Sequence, residues 1–224
     1  MRTMNVGRNL VERVRSSPQW QRAAPWGKPR PGHPEGSIGR HVEEQLIPFI
    51  DLHFRELPDY WNLVALAYLH DIGKPDVVRH DGRIHGEAHS VLSACIAAEF
   101  GAPARLVRVI LRNDRTFGYW RRLFDRRGRW EPSLWTDRRR AAFVAEFDPG
   151  AVDLELLVRF HRADSGYRRA PVLEESVDPV LWFENRLLEE GLLRALPPEG
   201  KDKRFDWKDV ASPTVSPSPP TIRN

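Results

Sequence analysis

One apolar stretch constrains the fold of this chain more than any other feature. Residues 59–70 are apolar on nearly every side of a helix, so the helix can be stable only at the centre of a fold. The stretch ends in His70 and Asp71, and Gly73 and Pro75 stop it from continuing. The sequence therefore predicts a central buried helix that ends in an imidazole and a carboxylate.

This His-Asp pair has two interpretations. An imidazole beside a carboxylate at the end of a buried helix is costly, and a divalent cation that binds both offsets the cost. Alternatively, His70 stabilises the helix C-terminus through the macrodipole and Gly73 caps it. The pair alone leaves both interpretations open, and only ligand-type residues elsewhere in the chain favour the metal.

The remainder of the chain shows further helix patterns and no strand pattern, so we predict an all-α fold. Ser37 is a candidate N-cap for a helix over 38–54, which Pro48 should kink. A segment at 16–34 contains five prolines and should hold no regular helix. The other predicted helices cover 2–14, 87–100, 104–113, 137–147, 152–164 and 179–193.

These patterns predict one helical domain with flanking segments. Residues 1–33 would form an N-terminal helix followed by a Pro/Trp-rich segment, and residues 34–196 the helical bundle. Within the bundle, 114–136 is Arg- and Trp-rich and predicts an irregular or part-helical insertion. There, aromatic rings among arginines could stack on a base or a single strand, although a small aromatic cluster with a solvated rim is the simpler interpretation. The Ser/Pro-rich tail, 197–224, predicts disorder.

Composition restricts the class of protein. The net charge is +4, and arginine far outnumbers lysine. Arginine side chains favour bidentate contacts to phosphate, although most of them are more simply explained as solvated surface. Cys95 is the single cysteine, which excludes a disulfide framework and a cysteine-based zinc site. No apolar run approaches the ~20 residues of a membrane span, and no signal peptide is apparent. We therefore expect a cytoplasmic protein with no membrane partner.

Several ligand-type residues fall near helix ends or apolar faces in separate helices, and the fold would have to bring them together. A mixed His/Asp set suits a divalent ion such as Mn²⁺, Fe²⁺, Co²⁺, Ni²⁺, Zn²⁺ or Mg²⁺. Such an ion activates water and neutralises phosphoryl charge, which is what hydrolysis of a phosphoester requires. The residues in question are His41, His70, Asp71, Asp164 and either His85 or His89.

The order His, His-Asp, Asp resembles the HD-domain superfamily of metal-dependent phosphohydrolases. Residues 34–41 (PEGSIGRH) resemble the segment that opens the HD domain of tRNA nucleotidyltransferases, whose catalytic head has no counterpart in this sequence. Residues 69–75 (LHDIGKP) are similar to the central motif of the superfamily, and 163–166 (ADSG) to its closing motif. The resemblance spans about 34–170 and implies an HD-like helical bundle whose metal ligands are His41, His70, Asp71 and Asp164.

The resemblance implies a chemical role for several residues. Asp71 would orient or deprotonate the attacking water, Lys74 would bind a phosphate oxygen, and His89 (with His85 as the alternative) would protonate the leaving group. Many members of the superfamily hold a second metal through two further histidines. The residues available for a second metal or for phosphate are His85, His89, Asp114, Arg112 and Arg115.

The sequence thus predicts a phosphohydrolase acting on a nucleotide or another small phosphoester. Two alternatives remain: a non-catalytic or regulatory HD module that binds nucleotide or RNA, and a diiron oxygenase. The oxygenase is disfavoured because Asn113 stands where the second additional histidine would fall. Nucleic acid as a partner has only weak support from the charge.

Overall fold

A computed structural model describes residues 2–29, 34–80, 83, 84, 86–166 and 174–198. The predicted tail at 197–224 therefore lies almost entirely outside the described residues, and so does His85. The regular secondary structure of the described part is helical apart from one pair of two-residue antiparallel strands, β1 (Arg79–His80) and β2 (Arg83–Ile84). The predicted all-α class is confirmed.

The described residues contain ten α-helices. A π-helical segment, His41–Leu46, joins α3 to α4, and short 3₁₀ turns lie at Lys74–Asp76 and Pro132–Leu134. The helices are α1 (Arg2–Arg15), α2 (Pro18–Ala23), α3 (Ile38–Arg40), α4 (Ile47–Phe54), α5 (Tyr60–Leu69), α6 (His89–Glu99), α7 (Ala104–Arg121), α8 (Asp137–Glu146), α9 (Leu154–Gly166) and α10 (Pro179–Glu189).

Helix α5 is the centre of the core, as its apolar sequence predicts. Every residue from 63 to 69 is buried, and α5 packs against α1, α4, α6, α7 and α9. Burying a large apolar side chain contributes about 1.5–3 kcal/mol, so this helix is held by packing on all sides. Its C-terminus is thereby fixed relative to five other helices.

The predicted helix over 38–54 is present, with one change in its winding. Ser37 caps it as predicted, since its hydroxyl accepts a hydrogen bond from the backbone N–H of Arg40. Pro48 has no N–H to donate, and the chain before it adopts the wider π-helical winding. There the N–H of Ile47 donates to the carbonyl of Val42, five residues earlier. Such π-helical segments are frequent at functional sites.

The expectation of no regular helix at 16–34 is wrong for its first part. Helix α2 begins directly at Pro18, and Ser17 accepts a hydrogen bond from the N–H of Trp20. Proline is tolerated at the first helical position, because that N–H has no partner within the helix anyway. Trp20 is buried and packs edge-on against Tyr68 of α5, which anchors this segment to the core.

The insertion predicted at 114–136 as irregular or part-helical is part-helical, and the helix before it is longer than the predicted 104–113. Helix α7 continues to Arg121, and an irregular turn follows in which Phe124 pairs with Trp130. Most aromatic rings of the segment pack inward, as Trp135 does against Trp182 of α10. The small aromatic cluster is therefore present. The helix extends because its buried positions, Asn113, Thr116 and Tyr119, continue the inward-facing stripe.

Candidate metal centre

Three ligand-type side chains from distant parts of the chain meet at one point. His41 begins the π-helical segment, His70 caps the C-terminus of α5, and Asp164 lies in the last turn of α9. One ligand atom of each lies within 4.8 Å of the other two, and the group could hold a metal ion. They are brought together because α5 packs against α9 and against the π-helical segment that carries His41. The sequence predicted that the fold would have to do this.

His70 is oriented by the backbone of its own helix. Its Nδ1–H donates to the carbonyl of Ala67 at 3.0 Å, which leaves Nε2 to face the carboxylates. Nε2 lies 3.7 Å from Oδ1 of Asp164 and 3.4 Å from Oδ2 of Asp71. A backbone carbonyl on one nitrogen that fixes the ring for a ligand on the other is the usual arrangement at histidine metal sites.

His41 is oriented in the same way, by side chains rather than by the backbone. Its Nδ1 lies 3.0 Å from Oε1 of Gln45 and 3.2 Å from a carboxylate oxygen of the buried Glu35, and its Nε2 lies 2.9 Å from Asp164. Burial lowers the pKa of His41, but the hydrogen bonds to Asp164 and Glu35 outweigh burial and raise it to about 9. Without a metal, this imidazole is therefore protonated at neutral pH.

Asp164 is held as a carboxylate by its neighbours. Burial opposes the charged form, but the hydrogen bond from His41 and the charges of His70 and His41 hold its pKa well below the usual range. Its second oxygen accepts a hydrogen bond from Nδ2 of Asn113 at 3.1 Å. The buried Oδ1 of Asn113 has no hydrogen-bond partner within the described part of the chain.

Asp71 lies beside the three-residue group, in contact with a cation on its outer side. Its Oδ2 accepts from the ammonium of Lys74, and its Oδ1 lies 3.5 Å from Nε2 of His89. Burial disfavours the carboxylate, yet His70 and Lys74 outweigh burial, and the pKa of Asp71 is well below its ordinary value. Similarly, the charges of Asp71 and Asp164 outweigh the effect of burial and raise the pKa of His70.

The turn after His70 and Asp71 is fixed by a close approach of α6. The N–H of Gly73 donates to the hydroxyl of Ser93 at 2.9 Å, and both groups are buried. A Cβ at Gly73 would lie 2.6 Å from the backbone nitrogen of Ser93, and real Cβ atoms essentially never come this close to another heavy atom. Glycine is therefore required here by space.

The residues predicted for a second metal or for phosphate divide into two groups. His89 and Asp114 border the centre, with Nε2 of His89 2.7 Å from Oδ2 of Asp114. Arg112 and Arg115 instead contact Glu146 at the end of α8, Arg112 at its carbonyl and Arg115 at its carboxylate. Neither arginine contacts the centre in the described part of the chain.

His161, three residues before Asp164 in α9, is part of the core. The Thr116 hydroxyl donates to the carbonyl of Asn113 at 2.6 Å, so its oxygen accepts from Nε2–H of His161 at 3.1 Å. Burial lowers the pKa of His161, which is therefore neutral. Its ring packs edge-on against Phe183.

The residues present fit a divalent ion. Bonds of about 2.0–2.2 Å to nitrogen and oxygen place ligand atoms roughly 3–4.4 Å apart, so atoms within 4.8 Å of one another need only small adjustments. Both histidines present Nε2 toward the same carboxylate, and both are oriented through Nδ1. The orphaned amide oxygen of Asn113 adds an acceptor that a metal-bound water would satisfy.

A pocket of about 490 Å³ opens directly onto the centre. Its floor includes His41, Asp71 and Lys74, and its outer wall is the segment that contains Trp26 and Lys28. That wall is attached to α3 by backbone hydrogen bonds, including Ile38 N–H to the carbonyl of Trp26 at 2.9 Å. The pocket is too large for phosphate alone and admits a substrate with an organic body.

Three features of the centre were missed by sequence reasoning. Glu35 and Gln45 orient His41, and Asn113, considered only as a poor metal ligand, donates to Asp164. Gln45 lies four residues after His41, a spacing that places both on one face of a helix and could have indicated the contact. Nothing in the local sequence indicates the other two contacts, because they join separate elements.

Comparisons with known proteins add no relative to this description. No protein-family model matches the chain, and searches of curated proteins and of solved structures return no match. No helix in the described part of the chain is both long enough and apolar enough to cross a membrane.

Proposed function

We propose that this chain is a metal-dependent phosphohydrolase of the HD type, acting on a nucleotide or another small phosphoester. The observation that carries the proposal is the convergence of His41, His70 and Asp164 within 4.8 Å, with Asp71 beside them. These are the four residues that the resemblance assigns to the metal. Two of them, His41 and Asp71, line an open pocket, which gives a substrate access.

A divalent ion at this position supplies a water of lowered pKa and neutralises charge on a phosphoryl oxygen. The protein supplies orientation and proton transfer. Asp71 is a carboxylate 3.4 Å from Nε2 of His70, so it is close enough to orient the attacking water and accept its proton. Its contact with Lys74 keeps it in that position before substrate binds.

Two further side chains complete the reaction. Lys74 lines the pocket and is mostly buried. When substrate enters, its ammonium can release the Asp71 carboxylate and bind a phosphate oxygen instead. His89 lies between Asp71 and Asp114, and the carboxylate of Asp114 at 2.7 Å orients its imidazole. From that position His89 donates a proton to the oxygen of the leaving group.

The outer wall of the pocket selects the body of the substrate. Trp26 exposes 36% of its surface and Lys28 lies next to it in the wall. A flat indole beside a cation suits the stacking of an aromatic base and contact with a second anionic group. This supports a nucleotide over a simple sugar phosphate as the preferred substrate.

The test combines metal analysis with a phosphatase screen. The protein as purified is analysed for bound metals and then assayed over nucleotides and sugar phosphates with Mn²⁺, Co²⁺, Ni²⁺ and Mg²⁺. We expect about one ion per chain and phosphate release. The variant His70→Gln should lose the metal, and its turnover should fall at least ~100-fold. Loss of a group that only orients a metal ligand already costs about 10–100-fold. His53→Gln, which alters a histidine of α4 outside the centre, is the matched control and should keep both.

Three outcomes would contradict the proposal. Unchanged metal content and turnover in His70→Gln would remove the centre from the reaction. Bound metal with no phosphate release across the whole panel would favour a binding module. About two irons per chain with oxygen consumption would favour an oxygenase.

A further inference from the structure

The positive charge of this protein is concentrated in one short segment. Residues 121–140 contain eight arginines and three carboxylates, a net charge of +5, while the whole chain has a net charge of +4. The rest of the chain therefore has a net charge of −1. A charge gradient of this kind attracts a polyanion to one side of a protein.

Five of these arginines are exposed and have no carboxylate partner within the described residues. Four of them lie at the end of α7 and in the turn after it: Arg121, Arg122, Arg126 and Arg127; the fifth, Arg138, lies on α8. The other members of the segment include arginines that are already engaged. Arg129 pairs with Asp125 at 2.8 Å, and Arg140 pairs with Glu190 at 3.0 Å. The four free guanidinium groups at the end of α7 and in the turn after it, with the neighbouring Phe117, are called the arginine–aromatic surface below.

The turn that presents Arg126 and Arg127 is internally rigid. Oδ1 of Asp125 accepts hydrogen bonds from the backbone N–H groups of Arg127 and Arg129, both at 2.8 Å. Gly128 adopts φ of +74°, a conformation that favours glycine, and Phe124 pairs with Trp130 at the base of the turn. Asp125 is thus occupied by Arg129 and the backbone and leaves the two presented arginines unneutralised.

An exposed aromatic ring lies beside this charge. Phe117 exposes 42% of its surface and stacks on Trp120, with ring centroids 5.3 Å apart and planes at 27°. The guanidinium of Arg121 lies 5.5 Å from the Phe117 centroid. Trp120 is itself fixed, because its Nε1–H donates to the carbonyl of Glu175 at 2.8 Å. A rigid, exposed ring among guanidinium groups is a platform on which a base can stack.

The surface also continues from the metal centre along one helix. Asp114 of α7 borders the centre, Phe117 follows three residues later, and Arg121 follows four residues after that. Such spacings place the three side chains on the same side of the helix, about one turn apart. This side of α7 therefore leads from Arg121 to the edge of the metal centre at Asp114.

We propose that the arginine–aromatic surface binds single-stranded nucleic acid, with phosphates on the four arginines and a base on Phe117. Arginine forms planar, bidentate contacts with phosphate, and an unpaired base has the exposed face that the ring requires. An acidic protein as the partner would account for the positive charge of the surface but not for the exposed ring of Phe117. Binding at this surface requires no hydrolysis, so it stands independently of the proposed reaction.

The test is fluorescence anisotropy with labelled oligo(dT) and oligo(U) of about 12 nucleotides, a length within the known site sizes of single-strand binders. The full chain is titrated at several salt concentrations. We expect Arg126→Ser/Arg127→Ser to weaken binding at least about tenfold and to lower the slope of log affinity against log salt by about 1.4, or ~0.7 for each lost phosphate contact. Phe117→Ala should weaken binding on the order of tenfold at an unchanged slope.

The matched control removes the same charge elsewhere. Arg55→Ser/Arg108→Ser changes two exposed arginines outside the segment, and Arg108 lies about 20 Å from Arg121 along α7. This pair should bind almost as the wild type does. Equal losses in the control and in Arg126→Ser/Arg127→Ser would overturn the inference, since only net charge would matter.

Other arms decide the class of partner. Duplex DNA that binds as tightly as the single strands, or a Phe117→Ala variant that binds as the wild type does, would overturn the single-strand assignment. Tighter binding of polyglutamate or of vesicles containing phosphatidylserine would overturn nucleic acid as the partner. A preference between oligo(dT) and oligo(U) supports the inference and identifies which of the two is bound. The variant His70→Gln should bind oligonucleotide normally, so failure of the proposed reaction and failure of this inference are distinguishable.

Discussion

Helix α9 carries a buried arginine, Arg162, and a partly buried aspartate, Asp164, two positions apart, and their surroundings differ in kind. Arg162 forms a closed pair: its guanidinium donates to both carboxylate oxygens of Glu184, at 2.7 and 3.2 Å, and to the carbonyl of Pro197 at 2.8 Å. Asp164 lies instead in an open group of two histidines and the half-satisfied Asn113. The closed pair needs nothing from outside, whereas the open group could hold a metal ion. The first is a structural ion pair, and the second is a candidate site.

The largest expected effect comes from breaking the closed pair. Arg162→Met leaves Glu184 charged and buried without its partner, which should lower the free energy of unfolding by about 3–5 kcal/mol. Urea denaturation measures the loss. The double variant Arg162→Met/Glu184→Leu should recover most of it, because both charges are then absent. A double variant no more stable than the single one would contradict the interpretation of a closed pair.

The open group should respond to metal instead. A divalent ion at about 1,000 times its Kd stabilises the folded state by about 4 kcal/mol, so chelation should lower the melting temperature of the wild type. Asp164→Asn should abolish this increment, while Arg162→Met should keep it in full. Thermal melts with and without EDTA test both variants. An increment that persists in Asp164→Asn would place the ion elsewhere.

Steric crowding at the turn after His70 gives the next effect. Gly73→Ala would force a Cβ against Ser93, and overpacking of this kind costs about 1–3 kcal/mol. We also expect weaker metal binding, because the turn positions Asp71. Gly118→Ala is the control: its Cβ would meet nothing within 4 Å, and alanine is the better helix former, by up to ~1 kcal/mol. Equal stabilities of the two variants by urea denaturation would show that the close approach is unimportant.

The open group should also show a specific pH dependence. The pKa of His41 without metal is raised to about 9 from 6.5, so its ion pair stabilises the metal-free protein fully below about pH 6.5 and is lost as pH rises through 9. Metal must displace this proton. Affinity should therefore rise by about tenfold or more per pH unit as the pH approaches 9, with at least about one proton released per ion at pH 7.5, since the pKa of His70 is raised as well. Calorimetric titration in buffers of different ionisation enthalpy counts the proton. Binding without proton release would contradict the assignment of His41.

The smallest effect should come from the pocket wall. Trp26→Ala removes the flat face and should raise KM for a nucleotide about 3–10-fold, roughly the worth of one stacking contact, while kcat stays nearly constant. Steady-state kinetics of the variant and the wild type measure KM and kcat for the nucleotide and for a small sugar phosphate. An equal change for both substrates would remove Trp26 from substrate selection.

Sequence reasoning reached most of the helices and the residues of the centre because both leave local signals. The apolar stretch before His70 predicted the central helix, and Ser37 predicted the start of the helix that carries His41. The errors arose where local signals conflict with tertiary context. The prolines at 16–34 argued against helix although Pro18 occupies the one helical position that tolerates it, and the aromatic residues after Asn113 hid the continuation of α7.

By itself the sequence determined the all-α class, the central helix and the ligand types, because these depend on periodicity, capping and residue chemistry over a few turns of chain. Only the tertiary structure decided which polar groups meet. The contact from Asn113 to Asp164 and the pairing of Arg112 and Arg115 with Glu146 depend on how separate helices pack, and the contact of Glu35 with His41 depends on the path of the loop before α3. Hydrogen bonds and ion pairs are made over ~3–4 Å between residues far apart in the chain, and no local pattern records such a distance.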